Sequence, residues 1–188
     1  MGRLIYSAIV SVDGYIADEH GEFGWAAPDV EVHGFINDLV RSVEAFLYGR
    51  RMYQTMTAWE ADPAVFADTP VMADFARIWR SADKVVYSTT LPAVTTGRTA
   101  LERRFDPEAV RKLKASAPGD IGIGGPGLAA HAFRNGLVDE YCLFLAPVAV
   151  GAGTKALPDG LNVQLALADE RRFGNGMVFL RYQVTPNP

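Results

Sequence analysis

Few backbones can accommodate the stretch Asp120-Ile121-Gly122-Ile123-Gly124-Gly125-Pro126-Gly127-Leu128-Ala129-Ala130. Its start reads as a short buried strand, its glycines as a sharp turn, and the rest as a helix running to about Asn135-Gly136. Gly124 and Gly125 carry no Cβ, so the backbone can turn tightly there and come close to a ligand. Pro126 suits the first helical turn, where its missing N–H is not needed. Ala129, Ala132 and Phe133 give the helix an apolar face, and Gly136 suits its end. A helix opening directly after such a turn aims free N–H groups outward, where they can take a phosphate or pyrophosphate. The plain structural alternative is a tight strand-to-helix connection and nothing more.

Gly122, Gly124 and Gly127 also satisfy G-x-G-x-x-G, the fingerprint of a Rossmann dinucleotide fold. That fold places an acid at the end of the next strand to hold the ribose. Here Asp139 and Glu140 precede the apolar run Tyr141–Val150, and several candidate strands come before the motif. The Rossmann arrangement is set aside on these grounds.

Leu4–Val12 is nearly continuously apolar and β-branched, as a central strand covered on both faces must be. Asp13-Gly14 breaks it, Tyr15-Ile16-Ala17 continue extended, and the loop Asp18–Pro28 follows. From Pro28 to about Val43, Val32, Phe35, Ile36, Leu39, Val40 and Val43 share one helical face. Ala45–Tyr48 is a short strand ended by Gly49, and Arg50–Met56 begins a second helix. A third is expected over Phe66–Trp79, a strand at Lys84–Tyr87 with the polar turn Ser88-Thr89-Thr90, and a surface helix at Pro107–Ala115. Pro147 interrupts the run Tyr141–Val150. Val163, Leu165 and Leu167 then alternate, as do Val178, Leu180, Tyr182 and Val184, with Gly174-Asn175-Gly176 between them. Asn-Gly between alternating runs signals a hairpin. The expected fold is α/β, a mainly parallel central sheet with a C-terminal antiparallel hairpin.

With 188 residues, 49% of them hydrophobic, the chain can bury a full core, and no linker divides it, so 1–188 reads as one domain. A net charge of −4 without a clustered basic footprint argues against nucleic acid as partner. No run approaches the ~18 apolar residues a membrane span needs, and Arg3 with Leu4–Val12 lacks the cleavage site of a signal peptide. Cys142 is the only cysteine, which leaves no internal disulfide and fits a reducing, cytoplasmic setting. His20, His33 and His131 are too scattered to suggest a metal site.

Three strand ends carry ligand-suited groups: Gly49-Arg50-Arg51, Ser88-Thr89, and Gly124 to Gly127. In a parallel sheet these ends share one edge, and ligands bind in the crevice there. Paired arginines at a helix start oppose the helix dipole, and a bound phosphate would explain them. The alternative is a solvated basic pair beside a polar turn. Phe23 and Trp25 in the 18–28 loop either tuck beneath it or form an aromatic wall for a flat substrate.

Gly49-Arg50-Arg51-Met52-Tyr53, Val85-Val86-Tyr87-Ser88-Thr89 and Gly124-Gly125-Pro126-Gly127-Leu128 together resemble the dihydrofolate-reductase-like superfamily. The likeness is closer to its riboflavin-biosynthesis reductase branch, the RibD C-terminal domain. Ser11-Val12-Asp13-Gly14-Tyr15-Ile16-Ala17 is similar to the S-x-D-G-x-x-A opening of that branch, and Leu137–Tyr141, Gly151-Ala152-Gly153-Thr154 and Leu157 to its later segments. The resemblance implies a three-layer fold and a homodimeric reductase that uses NADPH on a small heterocyclic (pteridine- or pyrimidine-like) or carbonyl substrate. It implies that Arg50 and Arg51 hold the 2′-phosphate, that Ser88 and Thr89 lie near that end, and that Gly124, Gly125, Pro126, Gly127 and Leu128 cradle the pyrophosphate beside Gly49. The nicotinamide would lie against Ser11 and Val12, with Asp13 or Trp25 touching substrate. For the proton donor, Glu31 and Asp13 are the candidates, with His33 a third by chain count. The 188 residues contain no zinc deaminase signature of paired cysteines and a histidine, so a substrate other than the riboflavin intermediate is open. A non-catalytic nucleotide- or ligand-binding protein of the same fold is the rival reading.

Overall fold

The computed structural model describes residues 2–185. Its main sheet has the order β5-β4-β3-β6-β1-β7-β10-β9. Strand β1 (Leu4–Ser11) lies in the middle, parallel to β6 (Asp120–Gly124) and β7 (Glu140–Ala146). On the far side of β6 come β3 (Val43–Gly49), β4 (Asp83–Tyr87) and β5 (Thr99–Glu102), all parallel. The hairpin β9 (Gln164–Arg172) and β10 (Val178–Thr185) closes the other edge antiparallel, with a bulge at Arg181/Tyr182. A separate ladder joins β2 (Tyr15–Ala17) to β8 (Thr154–Lys155).

Helices cover both faces of this sheet. Leu4 and Tyr6 of β1 turn toward α4 (Pro107–Ser116) and α5 (Pro126–Arg134), packing with Val110, Ala129 and Phe133. Ile5 and Ile9 turn the other way, toward α1 (Val30–Val40), where Val32 and Phe35 meet Phe144 and Phe179. On that face, α2 (Arg50–Met56) and α3 (Pro70–Ser81) add Tyr53, Phe75 and Trp79 over Phe46 and Tyr48. Period-two alternation on strands sandwiched between helices explains why β1 reads as uniformly apolar.

Several expected boundaries move, each for a local reason. Helix α1 begins at Val30, because Asp29 caps it by accepting a 2.9 Å hydrogen bond from Val32 N–H, and it ends at Val40 so that Val43 can enter β3. Helix α3 begins at Pro70, not Phe66. Thr69, preceding a proline, is held out of the helical region (φ −132°, ψ 83°), and Pro63–Phe66 forms a separate 3-10 turn. Strand β7 stops at Ala146, before Pro147, which cannot donate to a ladder. In β10 the fully buried residue is Phe179, not the alternating set around it, and all of β9 is exposed. Strand β5 was not anticipated at all.

The glycines of β6 are explained by packing. The rings of Phe46 and Tyr48 on β3 stack on each other at 5.6 Å and cover the adjacent strand. A Cβ on Gly122 would lie 2.7 Å from the Phe46 ring, and one on Gly124 would lie 2.9 Å from that of Tyr48. Tyr48 then accepts a 3.2 Å hydrogen bond from Trp79 Nε1, which ties α3 to the same stack. Lys84 is buried beside it, and its ammonium donates to the carbonyls of Trp79 (3.0 Å) and Ala82 (2.8 Å) at the C-terminus of α3. That end of the helix dipole favours a cation, although desolvation holds the lysine pKa below its usual value.

Gly122→Ala is therefore expected to destabilise the fold by about 1–3 kcal/mol through overpacking. Gly127→Ala, whose Cβ would meet nothing within 4 Å, should leave stability unchanged or raise it by up to about 1 kcal/mol. Chemical denaturation of the two variants checks the contrast.

Candidate functional site

At the carboxyl edge of the sheet the ends of β3, β4, β5 and β6 surround a crevice of about 530 Å³. Gly49 lies at one side, where β3 passes into α2, and an ideal Cβ there would sit 3.7 Å from the Leu128 Cβ of α5, in ordinary contact. Gly125 adopts φ +93°, a conformation that favours glycine, and serves as the N-cap of α5 without any side-chain cap. Gly127 and Leu128, in the uncapped first turn, line the crevice. Gly124, Gly125 and Pro126 thus form the turn behind the crevice, while Gly127 and Leu128 face it.

Tyr87 at the end of β4 and Ser88 and Thr89 in the loop after it also line the crevice. Ser88 Oγ accepts from the backbone N–H groups of Thr90 (3.2 Å) and Leu91 (2.9 Å), so this hydroxyl folds its own turn and keeps only its proton to offer a ligand. A fourth loop, after β5, supplies Arg103, Arg104 and Phe105, and α5 adds His131. Arg103 donates to the carbonyls of Ser88 (3.2 Å) and Leu91 (2.6 Å), clamping the β4 loop in place. Phe105 lies between Tyr87 (ring centroids 5.4 Å apart) and His131 (5.8 Å), which makes one wall aromatic. His131 could have been placed from the sequence, since it follows Gly127 by four residues on the same helical face. The β5 loop gave no such signal.

Of the two expected phosphate arginines, Arg50 stands beside the crevice loop, its Nη1 donating to Thr90 Oγ1 at 3.0 Å. Neither Arg50 nor Arg51 is among the residues lining the crevice.

The residues expected near a nicotinamide and substrate lie at the end of β1 and are engaged in local structure. Ser11 is fully buried, and its Oγ accepts from Tyr15 N–H (3.0 Å) while reaching the Tyr15 carbonyl at 3.3 Å. Val12 is 62% exposed, and its N–H donates to the Val148 carbonyl at 2.8 Å. The Asp13 carboxylate accepts from the N–H groups of Gly151 (2.7 Å) and Val150 (3.2 Å), which pins the loop after β1 to the loop after β7. The Ser11 hydroxyl and then these N–H groups hold its pKa below the usual carboxylate range. At neutral pH Asp13 is ionised, the wrong state for giving up a proton, and its geometry is that of a loop anchor.

Glu31 is likewise committed. Its oxygens accept from Arg171 (3.1 Å) and Gly174 N–H (3.0 Å), tying the start of α1 to the terminal hairpin and not to the crevice. Trp25 packs, half-buried, against the Phe144 and Phe173 cluster, with a buried Nε1 that has no hydrogen-bond partner among the described residues. His33 Nδ1 is 3.2 Å from Asn37 Oδ1, and Asn37 Nδ2 donates to Val71 O and to Asp74. With the amide nitrogen so committed, His33 must be the donor. Its ring rests edge-on against Trp59 and Phe75, at the α1–α3 interface. Among the described residues no group of three or more His, Cys, Asp or Glu side chains could hold a metal, and no helix is long and apolar enough to cross a membrane.

A helix-covered, mainly parallel sheet, with an antiparallel terminal hairpin and a glycine-turn crevice at its carboxyl edge, is the dihydrofolate-reductase-like fold. The chain belongs to the RibD C-terminal domain family, whose model matches residues 3–179. It is 28% identical over 182 residues to the uncharacterized protein YyaP of Bacillus subtilis (strain 168), covering 96% of this chain and 94% of that one. Among solved structures it superposes on a protein of Shewanella sp. PV-4 provisionally assigned to riboflavin biosynthesis, with a TM-score of 0.76, 19% identity, and 98% and 99% of the two chains covered. Acinetobacter baumannii RibD gives a TM-score of 0.70 at 16% identity, with 98% of this chain matching 58% of that one. The deaminase/5-amino-6-(5-phosphoribosylamino)uracil reductase of Thermotoga maritima gives 0.67 at 12% identity, covering 98% and 57%.

The anchoring role of Asp13 predicts that Asp13→Asn speeds hydrogen exchange at the Val150 and Gly151 amides by roughly tenfold at neutral pH. In the unsubstituted chain, a lowered folded-state pKa means that the stabilisation is complete above the ordinary carboxylate value of 3.8 and is lost as pH falls through the lowered one. Exchange at these two amides followed downward from neutral pH checks the sign.

Proposed function

We propose that this protein is an NADPH-dependent reductase that delivers a hydride to a small heterocyclic (pteridine- or pyrimidine-like) or carbonyl compound. One observation carries the reading: an uncapped helix start, an open glycine position and arginine-bearing loops converge on one crevice at the carboxyl ends of parallel strands. Family membership supports it, since the solved neighbours include a protein named for a uracil reductase activity.

When bound, NADPH would supply the hydride; the chain's part is to bind, orient and exclude water. Gly127 and Leu128 N–H groups would take the pyrophosphate, Arg50 and Arg51 would supply positive charge beside the adenosine end, and Ser88 would offer its hydroxyl proton. The end of β1, stiffened by Ser11 and Asp13, would back the nicotinamide. The single thiol, Cys142, is buried and pushed up to about 11 by desolvation, which keeps it unreactive and suits a cytoplasmic enzyme. With Asp13 and Glu31 both engaged elsewhere, the rival is a binding protein of the same fold that performs no turnover.

The same reading takes the protein as a homodimer. On the sheet face opposite α1, Leu180, Tyr182 and Val184 of β10 are half-buried, and Leu167 and Leu165 of the edge strand β9, paired with Tyr182 and Val184, are 54% and 37% exposed. An apolar patch of this kind on an edge strand favours pairing with another copy. Sedimentation should give a two-chain mass, and Leu167→Asp should shift it toward one chain at micromolar concentration.

Thermal shift with NADPH and NADH side by side tests the cofactor. At 100 times the dissociation constant the stabilisation is about 2.7 kcal/mol, roughly 5–10 °C for a chain of this size. A large shift with NADPH and a small one with NADH is expected, and Arg50→Ala with Arg51→Ala should weaken NADPH far more than NADH. No shift with either would remove the dinucleotide. Tight binding without NADPH oxidation across a panel of acceptors would favour the binding protein.

A further inference from the structure

The crevice has a second basic component outside the three loops that suggested it. We propose that Arg104 is a specificity-determining residue of the site and reads the phosphate on the adenosine ribose of a dinucleotide. This assignment rests on the dinucleotide reading of the crevice.

The strand order works as a ruler. From β1, where a nicotinamide would end, to β5, which leads into Arg104, the order β1-β6-β3-β4-β5 makes four steps. At strand spacing that is about 19 Å, on the scale of an extended dinucleotide. The glycine turn and uncapped α5 start lie one step from β1, at the end of β6, and suit the central pyrophosphate. The adenosine end then falls toward β4 and β5, where the crevice is walled by Phe105 and His131. An aromatic wall suits a purine face, and the charge beside it is that of the β5 loop.

Arg50 and Arg51 add charge from the start of α2, and Arg103 and Arg104 add it from the β5 loop, but the engagements of the four differ. Arg103 spends its guanidinium on the Ser88, Leu91 and Pro92 carbonyls. Arg50 donates to Thr90 Oγ1, and Arg51 does not line the crevice. Arg104 lines it and has no side-chain hydrogen bond or ion pair among the described residues. Asp106, two residues on, turns its carboxylate to the Glu108 N–H as the cap of α4. Arg104 is thus the lining guanidinium with its full fork available for a phosphate.

Binding measured by calorimetry with NADPH, NADH, 2′,5′-ADP and 5′-AMP separates the possibilities without any substrate. Arg104→Ala should weaken NADPH and 2′,5′-ADP by about tenfold or more while leaving NADH and 5′-AMP within about twofold. Arg104→Lys should fall between. Arg103→Ala, which loosens the clamp, should weaken all four together. If the unsubstituted protein prefers NADPH and Arg104→Ala weakens phosphorylated and unphosphorylated ligands alike, or neither, the Arg104 assignment is overturned and the dinucleotide reading stands. If the unsubstituted protein binds none of the four, both are overturned.

Discussion

Phe46 and Tyr48 stack over Gly122 and Gly124, and that contact sets how closely β6, which leads into the glycine turn of the crevice, lies against β3. A side chain on either glycine would push β6 away from two rings that also brace Trp79 and α3. Because β6 can lie under the rings, Gly49 at the end of β3 comes close to Leu128 at the start of α5. The two helix openings are thereby set side by side. The glycine run serves packing first, and the ligand-suited turn is its continuation: Gly125 makes the positive-φ corner and Gly127 leaves open space above the helix start.

A second set of contacts holds the rest of the sheet edge. Asp13 and Ser11 make the loop after β1 rigid by fastening it to the loop after β7 and to Tyr15. Glu31 fastens α1 to the terminal hairpin. Acidic side chains that look catalytic in isolation are here acceptors for backbone N–H groups or for an arginine. The crevice itself is lined by arginines, hydroxyls, aromatic rings and the start of α5, with no carboxylate among its lining residues. That arrangement suits an anionic ligand whose reactive ring is carried by the ligand itself.

The central strand, the strand–turn–helix at Asp120–Arg134, the parallel core and the terminal hairpin were legible because each depends on local periodicity or on a turn residue. Gly49, Ser88, Thr89, Gly127 and Leu128 were legible as crevice residues because strand ends of a parallel sheet must share an edge. What could not be read is long-range. Asp13 meets Gly151 across 138 residues, and Glu31 meets Gly174 across 143. Strand β5 is four residues at the sheet edge, its burial half exposed and half intermediate, so it carries no hydrophobic pattern strong enough to announce it.

The sequence by itself determined the layers, the direction of the core strands and the place of the glycine turn, since propensity, alternation and the missing Cβ act over a few residues. Tertiary structure alone decided which charges face the crevice. A guanidinium becomes available or spent according to the carbonyls folded against it, and those belong to other loops. Arg103 and Arg104 are neighbours of one residue type, yet one clamps the β4 loop and the other is left for a ligand.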